Sequence, residues 1–183
     1  MIIIGLIGPM ASGKSTATEY IGKEYQAKTY RFSDIMRDVL QRLYLPCSRD
    51  NLIQISIVLR EEFGHDLFAK AMAEDIKHDD HNEYIVVEGI RREDDIAFLA
   101  LLPNFHLVGI TGEIKTRYKR LTARTENSDD QQKTYEEFLA DHERETEKSI
   151  VPLMEKSEYL IHNNGTIEDL YTEIQNIIQK IKQ

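Results

Sequence analysis

The sequence is poor in cysteine and, relative to its acidic residues, poor in basic ones. A single cysteine, Cys47, excludes an internal disulfide. Lysine and arginine number 23 against 32 aspartate and glutamate residues, and the resulting net charge of −9 disfavours non-specific binding to nucleic acid or to an anionic membrane. Any anionic ligand must therefore meet a local cluster of basic side chains.

Long hydrophobic runs are also missing. The apolar run at residues 1–7 has no basic flank and reaches a glycine too early for a signal peptide or a membrane span. We therefore expect a cytoplasmic protein that contacts neither membrane nor nucleic acid. With 183 residues, 41% of them hydrophobic and 30% charged, the composition excludes collagen-like, mucin-like and largely disordered chains. We expect one domain over residues 1–183, as a monomer or a homodimer.

Short apolar runs alternate with longer segments of helical periodicity, the pattern of βαβ units around a parallel sheet. Five strands are predicted, at residues 2–7, 28–32, 84–87, 105–111 and 159–162. Predicted helices separate them, which places the chain in the α/β class.

Two intervals are unusual for such a fold. Residues 34–82, between the second and third strands, exceed an ordinary crossover and show three helical patterns, at residues 34–43, 52–63 and 67–77, so they predict a helical insertion. Residues 125–133 are polar and lack apolar anchors, and the helices predicted at 114–124 and 135–148 flank them. We interpret the region 114–148 as a short lid.

A phosphate-binding loop follows the first strand. The eight residues that open the first predicted helix fit the pattern G-x-x-x-x-G-K-[ST], and Thr16 follows them: Gly8, Pro9, Met10, Ala11, Ser12, Gly13, Lys14 and Ser15. Free backbone N–H groups and the helix dipole favour an anion there. In such a loop the lysine reaches the β- and γ-phosphates of ATP and the serine hydroxyl binds Mg²⁺, so Lys14 and Ser15 are candidates for those two roles.

Charged residues also follow the second and third strands. Asp34 and Arg37 lie three residues apart on one helical face, which suits an acceptor phosphate, with a helix cap and a solvated arginine as the alternative. Glu88 ends the third strand, where it can bind Mg²⁺ directly or through water. Arg91 and its neighbour Arg92 follow at the head of a helix, where two positive charges favour an anionic partner.

A cationic stripe precedes the polar segment at residues 125–133. Arg117, Arg120 and Arg124 are spaced by three and four residues and share one helical face. Arginines that reach the transferred phosphoryl group on closure would neutralise its charge, and Arg120 and Arg124 are the candidates. Ion pairing with the acidic helix at 135–148 is the structural alternative.

These motifs resemble the P-loop nucleoside monophosphate kinase superfamily, specifically its adenylate-kinase-like and dephospho-CoA-kinase-like members. Residues 33–37 (Ser-Asp-Ile-Met-Arg) are similar to the acceptor segment Gly-Asp-Met-Leu-Arg of adenylate kinases, and residues 88–91 (Glu-Gly-Ile-Arg) to their Asp-Gly-Phe-Pro-Arg. Residues 157–170 are closer to dephospho-CoA kinases and to an adenylate-kinase-related archaeal family, which residues 59–64 also resemble.

The resemblance implies a three-layer fold whose five-stranded parallel sheet has the order 2-3-1-4-5. It implies transfer of the γ-phosphoryl group of ATP, with Mg²⁺, to a small phosphorylated acceptor such as a nucleoside or deoxynucleoside monophosphate. It places Asn164 near the donor adenine, and it places Asp34, Arg37, Arg60 and Arg91 at the acceptor, with Arg91 also acting in catalysis.

The departures from the family pattern leave other functions open. Glu88 stands where the family has aspartate, and the Asp-x-Asp pair of dephospho-CoA kinases is missing after the second strand. Dephospho-CoA kinase is one alternative. A regulatory P-loop NTPase that acts as a nucleotide-dependent switch is another, although the Asn-Lys-x-Asp motif of a guanine-specific switch is absent.

Overall fold

The computed structural model describes residues 1–123, 131, 133–142 and 149–183. A five-stranded, all-parallel sheet in the order β2-β3-β1-β4-β5 lies at its centre. The strands are β1 (Ile2–Ile7), β2 (Lys28–Arg31), β3 (Tyr84–Glu88), β4 (Phe105–Thr111) and β5 (Tyr159–His162). The predicted fold class and strand order are confirmed.

Helices connect and cover the strands. Those in the described ranges are α1 (Lys14–Glu24), α2 (Phe32–Arg42), α3 (Arg49–Phe63), α4 (Leu67–Lys77), α5 (Glu93–Ile96), α6 (Ile114–Ala123), α7 (Tyr135–His142), α8 (Ile150–Met154) and α9 (Ile167–Ile181), with a 3₁₀ turn at Leu99–Leu101. Within these ranges, no helix is long and apolar enough to cross a membrane.

The sheet buries both faces, because successive side chains of a strand point to opposite sides. Ile3 and Ile7 of β1 face a cluster that includes Phe68 and Met72 of α4. Ile4 of the same strand faces the opposite cluster, which includes apolar side chains of α1 and α9. Helices therefore cover both faces, which makes the three layers expected from the sequence.

The insertion between β2 and β3 consists of α2, α3 and α4, and two of its helices begin earlier than predicted. Helix α2 begins at Phe32, immediately after β2, and the Phe32 side chain is buried in the core. Helix α3 begins at Arg49 because the Ser48 hydroxyl accepts a hydrogen bond from the Asn51 amide at 3.2 Å and caps the helix. The polar first turn of α3 conceals this start from an analysis of apolar periodicity.

The polar segment at residues 125–133, in the middle of the predicted lid, falls largely outside the described residues. Of residues 125–133, the structure describes 131 and Lys133. The Lys133 ammonium pairs with the Asp141 carboxylate of α7 at 2.5 Å, and the Tyr118 hydroxyl of α6 donates to the Lys133 carbonyl at 3.0 Å. These contacts join the C-terminal end of the polar segment to α6 and α7.

Candidate functional site

The phosphate loop spans residues 8–13 between β1 and α1, and two of its glycines are required by space. A Cβ atom on Gly8 would lie 2.0 Å from the Ile110 carbonyl oxygen. Gly13 has φ +109°, and its Cβ would lie 2.3 Å from the Asn163 amide nitrogen. A side chain at either position would therefore displace β4 or the turn after β5. The loop leads directly into the N terminus of α1, where backbone amides and the helix dipole favour an anion.

The Lys14 side chain folds back onto the phosphate loop. Its ammonium donates to the Gly8 carbonyl at 2.7 Å and to the Pro9 carbonyl at 2.9 Å. Ser15, the next residue, is exposed on the first turn of α1. The Ser12 hydroxyl is fully buried and has no hydrogen-bond partner among the described residues. The positive charge of Lys14 thus lies against the loop that would hold a phosphate chain.

The turn after β5 is bonded to the same loop through Asn163. The buried Asn163 amide nitrogen donates to the Ser12 carbonyl at 2.8 Å. Arg120 of α6 donates to the Asn163 backbone carbonyl at 2.8 Å, and to the Asn163 side-chain oxygen and the Gly165 carbonyl at 3.2 Å each. Asn164, the residue predicted to lie near the adenine, is exposed and accepts a hydrogen bond from the Glu113 amide at 2.7 Å. Three distant chain segments therefore meet beside the phosphate loop.

A second arginine of α6 also contacts the loop. Arg117 is buried, and it donates to the Met10 carbonyl at 3.1 Å and to the Gly112 carbonyl at 3.0 Å. Its guanidinium lies 5.7 Å from the centre of the Phe138 ring of α7, which packs α7 against this side of the site. Arg124, the third member of the stripe, lies outside the described residues.

Glu88 stands at the end of β3 with both carboxylate oxygens engaged. Thr18 of α1 donates its hydroxyl to one oxygen, and Arg31 of β2 donates to the other at 2.7 Å. The parallel register places Arg31 directly beside Glu88. The Glu88 side chain is 14% exposed and that of Arg31 51% exposed. Glu88 is thereby fixed between α1 and β2.

The two acceptor candidates at the end of β2 lie together on the first turns of α2. The Arg37 guanidinium lies 3.7 Å from the Asp34 carboxylate, and both side chains are about half exposed. Arg91 is exposed in the turn after β3, the strand that pairs with β2. Adjacent parallel strands end at the same edge of the sheet, so Asp34, Arg37 and Arg91 follow neighbouring strand ends.

Arg60, the remaining acceptor candidate, is buried in a different environment. Its side chain is 10% exposed and forms a 3.2 Å ion pair with Asp95 of α5, which is 3% exposed. It also donates to the His65 carbonyl at 2.7 Å. Helix α3 is thus joined to the turn that carries Arg91.

Sequence reasoning missed several of these residues. Asp95 lies three residues after Arg92, and a carboxylate at that spacing commonly accepts a hydrogen bond from the backbone at the start of its helix. The sequence therefore contained a signal for the capping role of Asp95. Asn163 sits beside the predicted Asn164 in a recognisable turn. Nothing local marks Thr18 or Arg31, whose partner Glu88 is more than fifty residues away in sequence.

Comparison with known proteins supports a kinase-like fold. The chain resembles a shikimate kinase from Bacteroides thetaiotaomicron with a TM-score of 0.65 and 14% identity, covering 100% of this chain and 99% of that one. It resembles a shikimate kinase from Acinetobacter baumannii, solved in complex with shikimate, with a TM-score of 0.56 and 17% identity, covering 98% and 94%. At these identities the likeness shows the fold alone.

Sequence relatives span the whole chain. A UPF0200 protein of Methanococcus maripaludis is 26% identical over 182 residues, which cover 99% of this chain and 98% of that protein. A UPF0200 protein of Methanocaldococcus jannaschii is 29% identical over 182 residues, covering 99% and 91%. The model of the family described as AAA domain matches residues 7–139, from the end of β1 into α7. The chain therefore belongs to the AAA domain family, and its relation to the P-loop kinases, inferred from its motifs, is confirmed at the level of the superfamily.

Proposed function

We propose that the protein is an ATP-dependent kinase that transfers the γ-phosphoryl group to a nucleotide-like acceptor, foremost a nucleoside or deoxynucleoside monophosphate. One arrangement carries the proposal. A phosphate loop containing Lys14 leads into α1, while Arg37 and Arg91 follow the ends of two neighbouring strands at the same edge of the sheet. A nucleotide-dependent switch needs the first feature, whereas a kinase for a phosphorylated acceptor needs both.

On the donor side, Lys14 would move from the loop carbonyls to the β- and γ-phosphates. Arg117 and Asn163, which hold the Met10 and Ser12 carbonyls, would keep the loop in shape during this exchange. A loop fixed in advance needs little reorganisation when the phosphates bind, which favours electrostatic stabilisation of the transition state. Asn164 would lie near the adenine.

The residues present fit Mg²⁺ carried by the phosphates. Mg²⁺ prefers oxygen ligands and is commonly bound by one or two protein oxygens together with substrate phosphates and water. Exposed Ser15 on the first turn of α1 and Glu88 at the end of β3 supply such oxygens. When bound, the metal would offset phosphate charge. Because Thr18 and Arg31 occupy the Glu88 oxygens, this carboxylate would act through water, or directly once Arg31 moves away.

On the acceptor side, Arg37 and Arg91 would bind the acceptor phosphate and align one of its oxygens with the γ-phosphorus. That oxygen forms the new P–O bond while the bond to the β-phosphate oxygen breaks and ADP leaves. The chemistry then depends on positioning and charge stabilisation. Arg120 and Arg124 would neutralise the transferred group, and for Arg120 this requires release from the carbonyls after β5.

A hydroxyl acceptor is the second candidate, and a shikimate kinase solved in complex with shikimate shares this fold. In that case Asp34, half exposed beside Arg37, would accept the hydroxyl proton. Dephospho-CoA, which also presents a hydroxyl, belongs to this group of acceptors.

A panel of acceptors tests the proposal. ADP formation is measured with Mg-ATP and each nucleoside monophosphate, deoxynucleoside monophosphate, dephospho-CoA and shikimate, with Lys14→Ala as the background and Lys23→Ala, an exposed lysine of the same helix, as the matched control. We expect turnover stimulated by a monophosphate, reduced by about 100-fold or more in Lys14→Ala and unchanged in Lys23→Ala. Stimulation only by a hydroxyl acceptor would favour the second candidate. Hydrolysis that no acceptor stimulates would favour the switch, and wild-type turnover in Lys14→Ala would contradict the phosphate-loop assignment.

A further inference from the structure

A buried ion pair connects the helical insertion to the acceptor-side turn after β3. Arg60 of α3 and Asp95 of α5 lie 3.2 Å apart with side chains that are 10% and 3% exposed. Buried charges are rarely stable without a partner, and removal of one partner leaves the other uncompensated. The pair is therefore a strong constraint on how α3 packs against α5.

The second oxygen of the Asp95 carboxylate extends this link to the backbone of the acceptor-side arginines. It accepts hydrogen bonds from the backbone amides of Arg91 and Arg92, each at 3.0 Å. From the other side, the Ser149 hydroxyl donates to the Arg91 carbonyl at 2.6 Å. The Arg91 peptide groups are therefore held at both N–H and C=O.

Arg60 is itself held on several sides. Its guanidinium donates to the His65 carbonyl at 2.7 Å and to the Ser56 hydroxyl at 3.4 Å, and it lies 4.7 Å from the centre of the Phe68 ring. With Asp95, these contacts occupy Nε and both terminal nitrogens. An acceptor phosphate would have to compete with a buried carboxylate for this group.

We propose that Arg60 and Asp95 are positioning residues, which orient Arg91 for the acceptor, and that Arg60 is not itself an acceptor ligand. The inference rests on the proposed function in taking Arg91 as a ligand of the acceptor phosphate. A side chain whose backbone is fixed in advance loses less freedom on binding, so it binds more tightly in the required geometry. Arg60 fixes Asp95, and Asp95 fixes the backbone from which the Arg91 side chain extends.

The test separates the positioning role from general stability by using two readouts. The first is NMR-detected hydrogen exchange at the Arg91 and Arg92 amides, which needs no catalysis. The second is the pair of KM values for ATP and for the acceptor that best stimulates the wild type. Asp95→Asn is compared with Asp94→Asn, an exposed carboxylate one residue earlier, and Arg60→Gln with Arg60→Lys, which keeps the positive charge beside Asp95.

In Asp95→Asn we expect amide exchange at Arg91 and Arg92 to be faster by about 10-fold or more, because their charged acceptor is lost. The acceptor KM should rise by about 10-fold while the ATP KM changes by less than about twofold. Arg60→Gln should likewise raise the acceptor KM more than the ATP KM, and Arg60→Lys should do so to a smaller extent. Asp94→Asn should have the KM values and amide exchange of the wild type. If Asp95→Asn does not fold, the double variant Arg60→Met with Asp95→Asn, which leaves no unpaired buried charge, is measured instead with the same expectation.

Unchanged exchange at both amides in a folded Asp95 variant would overturn the inference. So would an equal rise in the two KM values, or a large rise in acceptor KM in Arg60→Lys without faster exchange, since that result would make Arg60 a direct ligand. Absence of acceptor-stimulated turnover in the wild type would instead overturn the proposed function and the role of Arg91, while the exchange data would still decide whether Asp95 holds this backbone.

Discussion

Asn163→Ala should lower both the stability of the protein and the affinity of the phosphate loop for nucleotide. The Asn163 side chain is buried, and its amide nitrogen is bonded to the Ser12 carbonyl at 2.8 Å. Its oxygen accepts a longer bond, 3.2 Å, from Arg120. Truncation removes both bonds and leaves the Ser12 carbonyl without this donor.

The two lost bonds have unequal weight. A buried backbone carbonyl left without a partner costs about 1–3 kcal/mol. The Arg120 contact is long, and the same arginine nitrogen keeps the Gly165 carbonyl at 3.2 Å, so its loss adds on the order of 0.5 kcal/mol. We expect a decrease of about 1.5–3.5 kcal/mol in the free energy of unfolding. At about 2–4 °C per kcal/mol for a chain of this size, Tm should fall by about 3–14 °C.

Asn163→Asp distinguishes the two bonds. An aspartate keeps an acceptor for Arg120 and adds charge to that contact, but it places a carboxylate oxygen where the donor to Ser12 stood. If the Ser12 bond dominates, Asn163→Asp is at least as unstable as Asn163→Ala at pH 7. Thermal unfolding followed by circular dichroism, and calorimetric titration with a non-hydrolysable ATP analogue, measure stability and loop integrity separately. Affinity for the analogue should fall by several-fold in both variants, since the loop must be reordered on binding.

A Tm for Asn163→Ala within about 1 °C of the wild type would refute this reasoning. So would an Asn163→Asp variant of near wild-type stability, because Arg120 would then be the partner that matters.

Other consequences concern the acceptor, the metal and pH. Arg37→Ala should raise the acceptor KM by about 10-fold or more and leave the ATP KM nearly unchanged, because the proposed contact is to the acceptor phosphate, as steady-state kinetics with each substrate varied would show. Arg31→Ala should lower the Mg²⁺ concentration for half-maximal turnover, because it releases an oxygen of Glu88. The expected change is about twofold, which corresponds to the free energy of one exposed ion pair. Glu88→Gln should instead raise that concentration. The Asn82 amide, which donates to the Asp79 carboxylate, holds the pKa of Asp79 below its ordinary value. The ionised carboxylate of Asp79 therefore stabilises the fold at pH values above the unfolded pKa of about 3.9. The Tm of the wild type should exceed that of Asp79→Asn by its full amount at pH 7, and this difference should decrease as the pH falls below about 4.

Each of these has an outcome that would contradict it. Equal loss of ATP and acceptor affinity in Arg37→Ala would place this arginine at the donor. A Mg²⁺ requirement that does not change in either Arg31→Ala or Glu88→Gln would remove Glu88 from the metal site. A Tm difference that is constant between pH 7 and pH 3 would show that the charge of Asp79 contributes no stability.

The parts of the fold that depend on local pattern could be predicted from the sequence. Strands β1 and β4 have the predicted bounds because a strand buried on both faces is a continuous apolar run. The phosphate loop is a contiguous motif in which spacing, glycine conformation and the start of α1 are all local. Helix α4 likewise shows its apolar face at regular intervals and has the predicted bounds.

The arrangement of charged side chains around the loop could not be predicted in the same way. Arg60 and Arg37 look alike in sequence, as arginines on amphipathic helices of the insertion. The structure separates them: Arg60 is buried against Asp95, and Arg37 is half exposed beside Asp34. The difference depends on which helix face packs against α5, and periodicity alone does not specify that partner.

The sequence by itself therefore determined the succession of strands and helices along the chain and the phosphate loop. Both follow from backbone preferences and from burial patterns among residues that are close in sequence. Tertiary structure alone decided that Asn163 holds Ser12 across 151 positions of sequence and that Arg60 of α3 pairs with Asp95 of α5 across 35 positions. A hydrogen bond or ion pair forms only between groups within about 3–4 Å, and for groups far apart along the chain that distance is set by how the whole sheet and its helices pack.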